Sequence, residues 1–200
     1  MPDDSAVSRD SLTVLRRTVA LVAILNLAYF FVEFGMARAI GSVSLYADSI
    51  DFLEDASVNA LVLVAIGLSA AWRRIAGLGF VVLLMAPSLA ALWTAWDKLN
   101  HPAIADPLSL TITAIGALLV NGYCAYILAR VRNTGGSLSK AAFLSARNDT
   151  FANVAIIGAG IATAATMSVW PDVIVGLAIA ALNANAAFEV YEAAIGETDG

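Results

Sequence analysis

Four acids, Asp48, Asp51, Glu54 and Asp55, fall within what the surrounding sequence makes a membrane-crossing helix, and an apolar run from Ala56 to Ala71 follows at once. Acids inside a transmembrane segment are costly, and they face a polar pathway, a partner or a bound ion rather than lipid. Residues four apart share a helix face, so Asp51 and Asp55 form one edge, and Asp48, three residues earlier, joins it. Neighbouring carboxylates repel unless a cation or a proton sits between them. The ladder therefore suits a divalent cation.

The chain around it has 200 residues, of which 60% are hydrophobic, and a mean hydropathy of +0.81. A soluble domain is roughly 45–50% apolar. The excess predicts an all-α bundle of several membrane spans with no room for a second sizeable domain. Lys and Arg are too sparse for a nucleic-acid surface. A single cysteine, Cys124, excludes an internal disulfide and a cysteine-based zinc cage, and is expected to be a small packing residue. The first apolar run begins after Arg17, is long and lacks a small-residue cleavage site, so no cleavable signal is expected. No nucleophile–base pair or cofactor loop stands out, which argues against an enzyme and against a resident cofactor.

Six spans can be drawn, over about 18–39, 44–71, 75–95, 107–129, 141–168 and 173–191. A tight turn at Arg73-Arg74, a polar loop from Trp96 to Pro102, a basic loop from Arg130 to Lys140 and a Trp170-Pro171-Asp172 turn separate the later ones. Trp93 and Trp96 suit a membrane interface. With both termini in the cytoplasm, nine of the eleven Lys and Arg fall on that side or its margin, and only Arg38 and Lys98 fall outside. The positive-inside rule favours this even-numbered arrangement. The chain then divides into a cytoplasmic tail at 1–14, a six-span domain at 15–192 and a short cytoplasmic tail at 193–200.

A second polar constellation opens span five. Ser145, Asp149 and Asn153 are spaced four apart on one face, with Asn148 beside them. Two helices that each present oxygen donors at this spacing can together ligate a hard or borderline divalent cation. At about 1.5 Å rise per residue, Asp51 and Asp55 lie roughly 15 and 21 Å from the outer end of span two. Counted the same way, Asn153 and Asp149 lie roughly 22 and 28 Å from the outer end of span five. On this count Asn153 matches the depth of the span-two acids better than Ser145.

Each residue has a plainer alternative. Asp51 and Asp55 could hydrogen-bond neighbouring helices. Asp149 could pair with Arg147 or serve as an N-terminal helix charge. Asp48 could be a helix N-terminal residue at the outer interface. Glu54 points away from the ladder and reads as interfacial or structural. Asn148 and Asn153 could be helix–helix hydrogen-bonders. Glu33 in span one and Asn121 in span four are either pathway lining or packing contacts. His101, in a loop beside Pro102, reads as solvated.

The stretch Gly41-Ser42-Val43-Ser44-Leu45-Tyr46-Ala47-Asp48-Ser49-Ile50-Asp51-Phe52-Leu53-Glu54-Asp55 resembles the second-span signature of the cation diffusion facilitator family. Glu33, Asn121 and the Trp170-Pro171-Asp172 entry to span six are similar to that family too, and the resemblance runs from about Leu15 to Glu192. It implies a dimeric six-helix transporter, with cytoplasmic termini, that exports zinc or a related divalent metal in exchange for protons. The span-two ligands would be Asp51 and Asp55, and the second member of the span-five ligand pair would be Asp149. The first member falls on Ser145 where the pattern has His or Asp, so Asn148 or Asn153 would substitute, or water would fill the place. The resemblance implies a short form without the C-terminal cytoplasmic domain of most relatives and without a histidine-rich loop.

The sequence thus predicts a proton-coupled divalent-cation exporter in a cell membrane such as the bacterial inner membrane. Asp51, Asp55 and Asp149 would bind the metal as substrate, with Asn153 and Ser145 as further ligands and Asp48, Asn148, Glu33 and Asn121 along the pathway. With neither His nor Cys in the site, the preference moves modestly from zinc toward manganese, iron(II) or cobalt. The competing readings are a non-transporting metal sensor or assembly partner of the same fold, and a carrier for a monovalent or organic cation.

Overall fold

The computed structural model describes residues 4–65, 89–131 and 136–182, and their regular structure is all helical. Helix α1 spans Asp4–Ile40 and α2 spans Val43–Ala65. Helix α3 is described over 89–100. Helices α4 and α5 span Pro107–Val131 and Gly136–Thr166, and α6 spans Trp170–Leu182.

Local chemistry sets the ends. Gly41 has φ +63°, and the Ser42 amide donates back to the Ala37 carbonyl at 3.0 Å. This is the Schellman stop, which favours glycine because an L side chain is strained in that conformation. Ser42 at once caps the next helix, its hydroxyl accepting from the Leu45 amide at 3.2 Å. Two residues thereby turn α1 back along α2. Asp106 caps α4 by accepting from the Ser109 amide at 2.8 Å, with Pro107 at the first helical position. Those hydrogen bonds hold the Asp106 carboxyl below the ordinary aspartate range.

Helix α1 lies along α2 and α5 lies along α4, while α1–α4 and α2–α5 contacts close the bundle. Leu45, Ala47, Ile50, Leu110, Ala114 and Ile156 form the main apolar core. The Tyr29 hydroxyl ties α1 to α4 by donating to the Thr113 carbonyl at 2.7 Å.

Burial runs opposite to that of a soluble protein. Asn26, Glu33, Asp48 and Asn153 are fully buried, whereas Ile24, Phe31, Leu119, Phe151 and Ile161 are exposed. An apolar exterior around a polar interior is what a lipid solvent demands. Thr13–Ile40 and Pro107–Val131 are long and apolar enough to cross a membrane, and Trp170–Leu182 is a shorter apolar helix. The acid-bearing α2 is not among them.

Three boundaries differ from those read in the sequence. Helix α3 continues through residue 100, so Trp96–Asn100 is helical rather than loop, and the Asn100 amide bonds the Trp96 carbonyl one turn back. Helix α5 begins at Gly136, inside the expected basic loop. Helix α1 begins at Asp4, well before the expected span. The Arg73-Arg74 turn, the early part of span three and the ends of spans two and six lie outside the described residues.

Candidate metal centre

Helices α2 and α5 run antiparallel, and their polar residues meet in register. The Ser145 hydroxyl donates to Asp55 Oδ1 at 2.9 Å, and the Asn153 amide donates to Asp48 Oδ2. Asp51 and Asp149 occupy the rung between these two contacts. Asp149 is near enough to Asp51 and Asp55 for their charges to interact.

This alignment corrects the depth match. Ser145, not Asn153, stands level with Asp55. Asn153 lies two rungs away, with both ends of its amide engaged: Nδ2 on Asp48, and Oδ1 accepting from Asn121 Nδ2 at 3.1 Å. The depth count erred because α5 ends at Thr166 and the helices need not start at one level.

Asp51, Glu54, Asp55, Ser145, Asn148 and Asp149 line one cavity of about 660 Å3, walled on the α6 side by Ile174, Ala178 and Ile179. Glu54 therefore belongs to the lining, which corrects its assignment to an outward or interfacial position. Its place, three residues after Asp51, was the available signal. Asn148 reaches the cavity from the exposed side of α5, where its carbonyl accepts from Arg147 at 3.3 Å. Among the described residues, no group of three or more His, Cys, Asp or Glu side chains is drawn together tightly enough to hold a metal ion. The cavity is thus an open, acid-lined vestibule rather than a closed coordination shell.

Asp55 also has a partner that sequence reasoning missed. Asn26 of α1 donates to Asp55 Oδ2 at 3.4 Å, and the Cys124 thiol of α4 lies 3.9 Å from Asn26 Oδ1. Asn26 stands seven residues before Glu33, two turns along the same face of span one. That spacing could have revealed it. Glu33 is buried beside Asp48, and Asn121 is a buried link between α4 and α5.

A second cluster ties three helix ends together. Asp172, near the start of α6, accepts from Ser42 Oγ at 2.7 Å, Ser44 Oγ at 2.6 Å and the Val43 and Ser44 amides at 3.0 Å each. It also pairs with Lys98 Nζ at 2.7 Å, and both side chains are buried. Lys98, expected in a solvated loop, is instead part of the interior. Gly176, one turn further along α6, permits this approach, since a Cβ there would come within 2.7 Å of the α2 backbone at Val43 and Ser44. His101 is exposed and lies 3.2 Å from Asp97.

An apolar-surfaced helical bundle whose buried acids converge on a vestibule defines a membrane protein built to admit a cation. A family model described as the cation efflux transmembrane domain matches residues 19–196. The chain belongs to that family of membrane cation transporters. A comparison with curated proteins gave no match.

Proposed function

We propose that this protein exports a divalent metal cation in exchange for protons, with Asp51, Asp55 and Asp149 as the primary ligands. The observation that supports this best is the shared vestibule: α2 and α5 place those three carboxylates, and Ser145, on one cavity. An ion entering with part of its hydration shell would be held by carboxylates and water, as oxygen-preferring cations are. Ser145 and Asn26 would orient the Asp55 carboxylate rather than ligate the ion, since each already donates to it. Proton return would follow from competition at the same carboxylates once they face the other side.

The finer reading has the chain crossing the membrane six times with both termini in the cytoplasm, in an assembly of two copies in a bacterial inner membrane. No resident cofactor is involved; the metal is cargo. The oxygen-only donor set keeps manganese, iron(II), cobalt, cadmium and zinc all in the substrate range. Metal uptake into proteoliposomes under an imposed pH gradient tests this. Wild type should carry at least one of the five metals, and Asp55→Asn and Asp149→Asn should each abolish it. Absence of flux for every metal would refute the exporter reading and favour a sensor or assembly role.

A further inference from the structure

Two cavities approach the Asp172 cluster from opposite sides. The vestibule reaches along α6 only as far as Ile174. A second cavity, of about 310 Å3, begins one residue earlier at Val173 and is walled by Lys98, Pro102, Ile104, Ser168 and Trp170. Asp172, Ser42 and Ser44 stand between the two, all fully buried. At about 1.5 Å rise per residue, Ser44 lies about 10 Å along α2 from Asp51. Gly176 lets the α6 backbone lie against Val43 and Ser44 at this level. The Asp172 carboxylate takes three donors on Oδ1 and two on Oδ2. That uses up its roughly four lone-pair sites and leaves none for a metal ion. Lys98 also cancels its charge. In the vestibule, by contrast, Asp55 takes one donor on each oxygen.

We propose that the Lys98–Asp172 cluster is a gate, closed in this structure, between the metal-binding vestibule and the second cavity, and that the second cavity is the mouth through which the cation leaves. The cargo rests on the exporter reading; the partition rests on the two cavities and the cluster between them. Opening parts the start of α6 and the end of α3 from the start of α2. The α1–α2 and α4–α5 packing need not change. Lys98 keeps the gate from becoming a trap. A lone carboxylate on the path would attract a dication and hold it there, whereas a neutral pair with its ammonium side on the second cavity does not. A shell of about six waters, at roughly 30 Å3 each, fits within that cavity, so the ion can rehydrate there.

Thiol accessibility in native membranes tests this, with a charged, membrane-impermeant reagent added to one face at a time. Ala152→Cys reports the vestibule and Ser168→Cys the second cavity. The unsubstituted chain, whose Cys124 is buried, gives the background. With the cluster intact, the two cysteines should react from opposite faces. Adding Lys98→Met should raise the reaction of Ala152→Cys from the Ser168 face by about ten-fold, as the open form gains population. Labelling of both cysteines from the same face, with the cluster intact, would overturn the partition whether or not the gate variants fold. Sidedness unchanged by both Lys98→Met and Asp172→Asn, in protein that reaches the membrane in wild-type amounts, would show a static brace and overturn the gate. A chain that moves no metal would refute the exporter reading and the cargo with it, while the labelling pattern would still decide the gate.

Discussion

Replacing Asp172 with asparagine tests the interlock at the helix ends. The carboxylate accepts five hydrogen bonds, from two hydroxyls, two backbone amides and the Lys98 ammonium. An asparagine of the same shape keeps one acceptor oxygen and turns the other into an NH2 group. If the NH2 replaces Oδ2, it faces the Val43 N–H and Lys98 Nζ, both donors. If it replaces Oδ1, it faces the Ser44 N–H. Either way Lys98, 3% exposed, is left as a buried ammonium without a counter-charge. Breaking a buried pair from one side costs about 3–5 kcal/mol. Lys98→Met should cost less, about 1–3 kcal/mol, because Asp172 keeps four donors in that variant. The double variant should be less unstable than the sum of the two, by at least about 1 kcal/mol, since removing Lys98 relieves the stranded charge. Reversible unfolding in mixed micelles, followed by far-ultraviolet circular dichroism, reads all four corners of the cycle. An Asp172→Asn variant within about 1 kcal/mol of wild type, or strict additivity, would refute a charge-centred interlock.

Three further outcomes are expected. Gly176→Ala should destabilise by about 1–3 kcal/mol in the same unfolding assay, because the new methyl meets the Val43–Ser44 backbone, which cannot swing aside as a side chain could. Asp106→Ala should lower the melting temperature at neutral pH. A depressed carboxyl gives stability that is present above its ordinary value of 3.8 and lost as pH falls through the lower folded value, so the two melting curves should converge in acid. Ser145→Ala should weaken metal binding by several-fold, measured by calorimetry, without abolishing it, since Asn26 still holds Asp55.

Much of the site was legible because its residues break a pattern. Asp51, Asp55 and Asp149 interrupt apolar helices at a four-residue spacing, and the structure places all three on one cavity. Ser145 was found by the same spacing, but its level was misjudged because depth counting assumes that both helices start from one plane. Lys98 was misplaced for a different reason. The polar run around it resembles a loop, and only the partner Asp172, 74 residues away, makes a buried lysine affordable. Asn26 escaped because its one signal, the seven-residue spacing to Glu33, links two polar residues separated by two turns of otherwise apolar helix. Glu33 announced itself as an acid, but its full burial depends on how α1 folds back along α2 through Gly41-Ser42, which spacing within either helix does not encode.

The polar rungs of α2 and α5 repeat at nearly the same interval, 48, 51 and 55 against 153, 149 and 145. Such a pair works like two combs with matching teeth. Sliding one helix past the other by a turn, about 5.4 Å, would break both the Asp55–Ser145 and the Asp48–Asn153 hydrogen bonds, set Asp55 beside Asp149 and Asp51 beside Asn153, and leave Asp48 against Ile157. Only the present setting gives each of the three acids of α2 a polar residue opposite it on α5. Matching teeth of this kind act as a register lock, since a slip in either direction costs both hydrogen bonds and strands an acid against an apolar side chain.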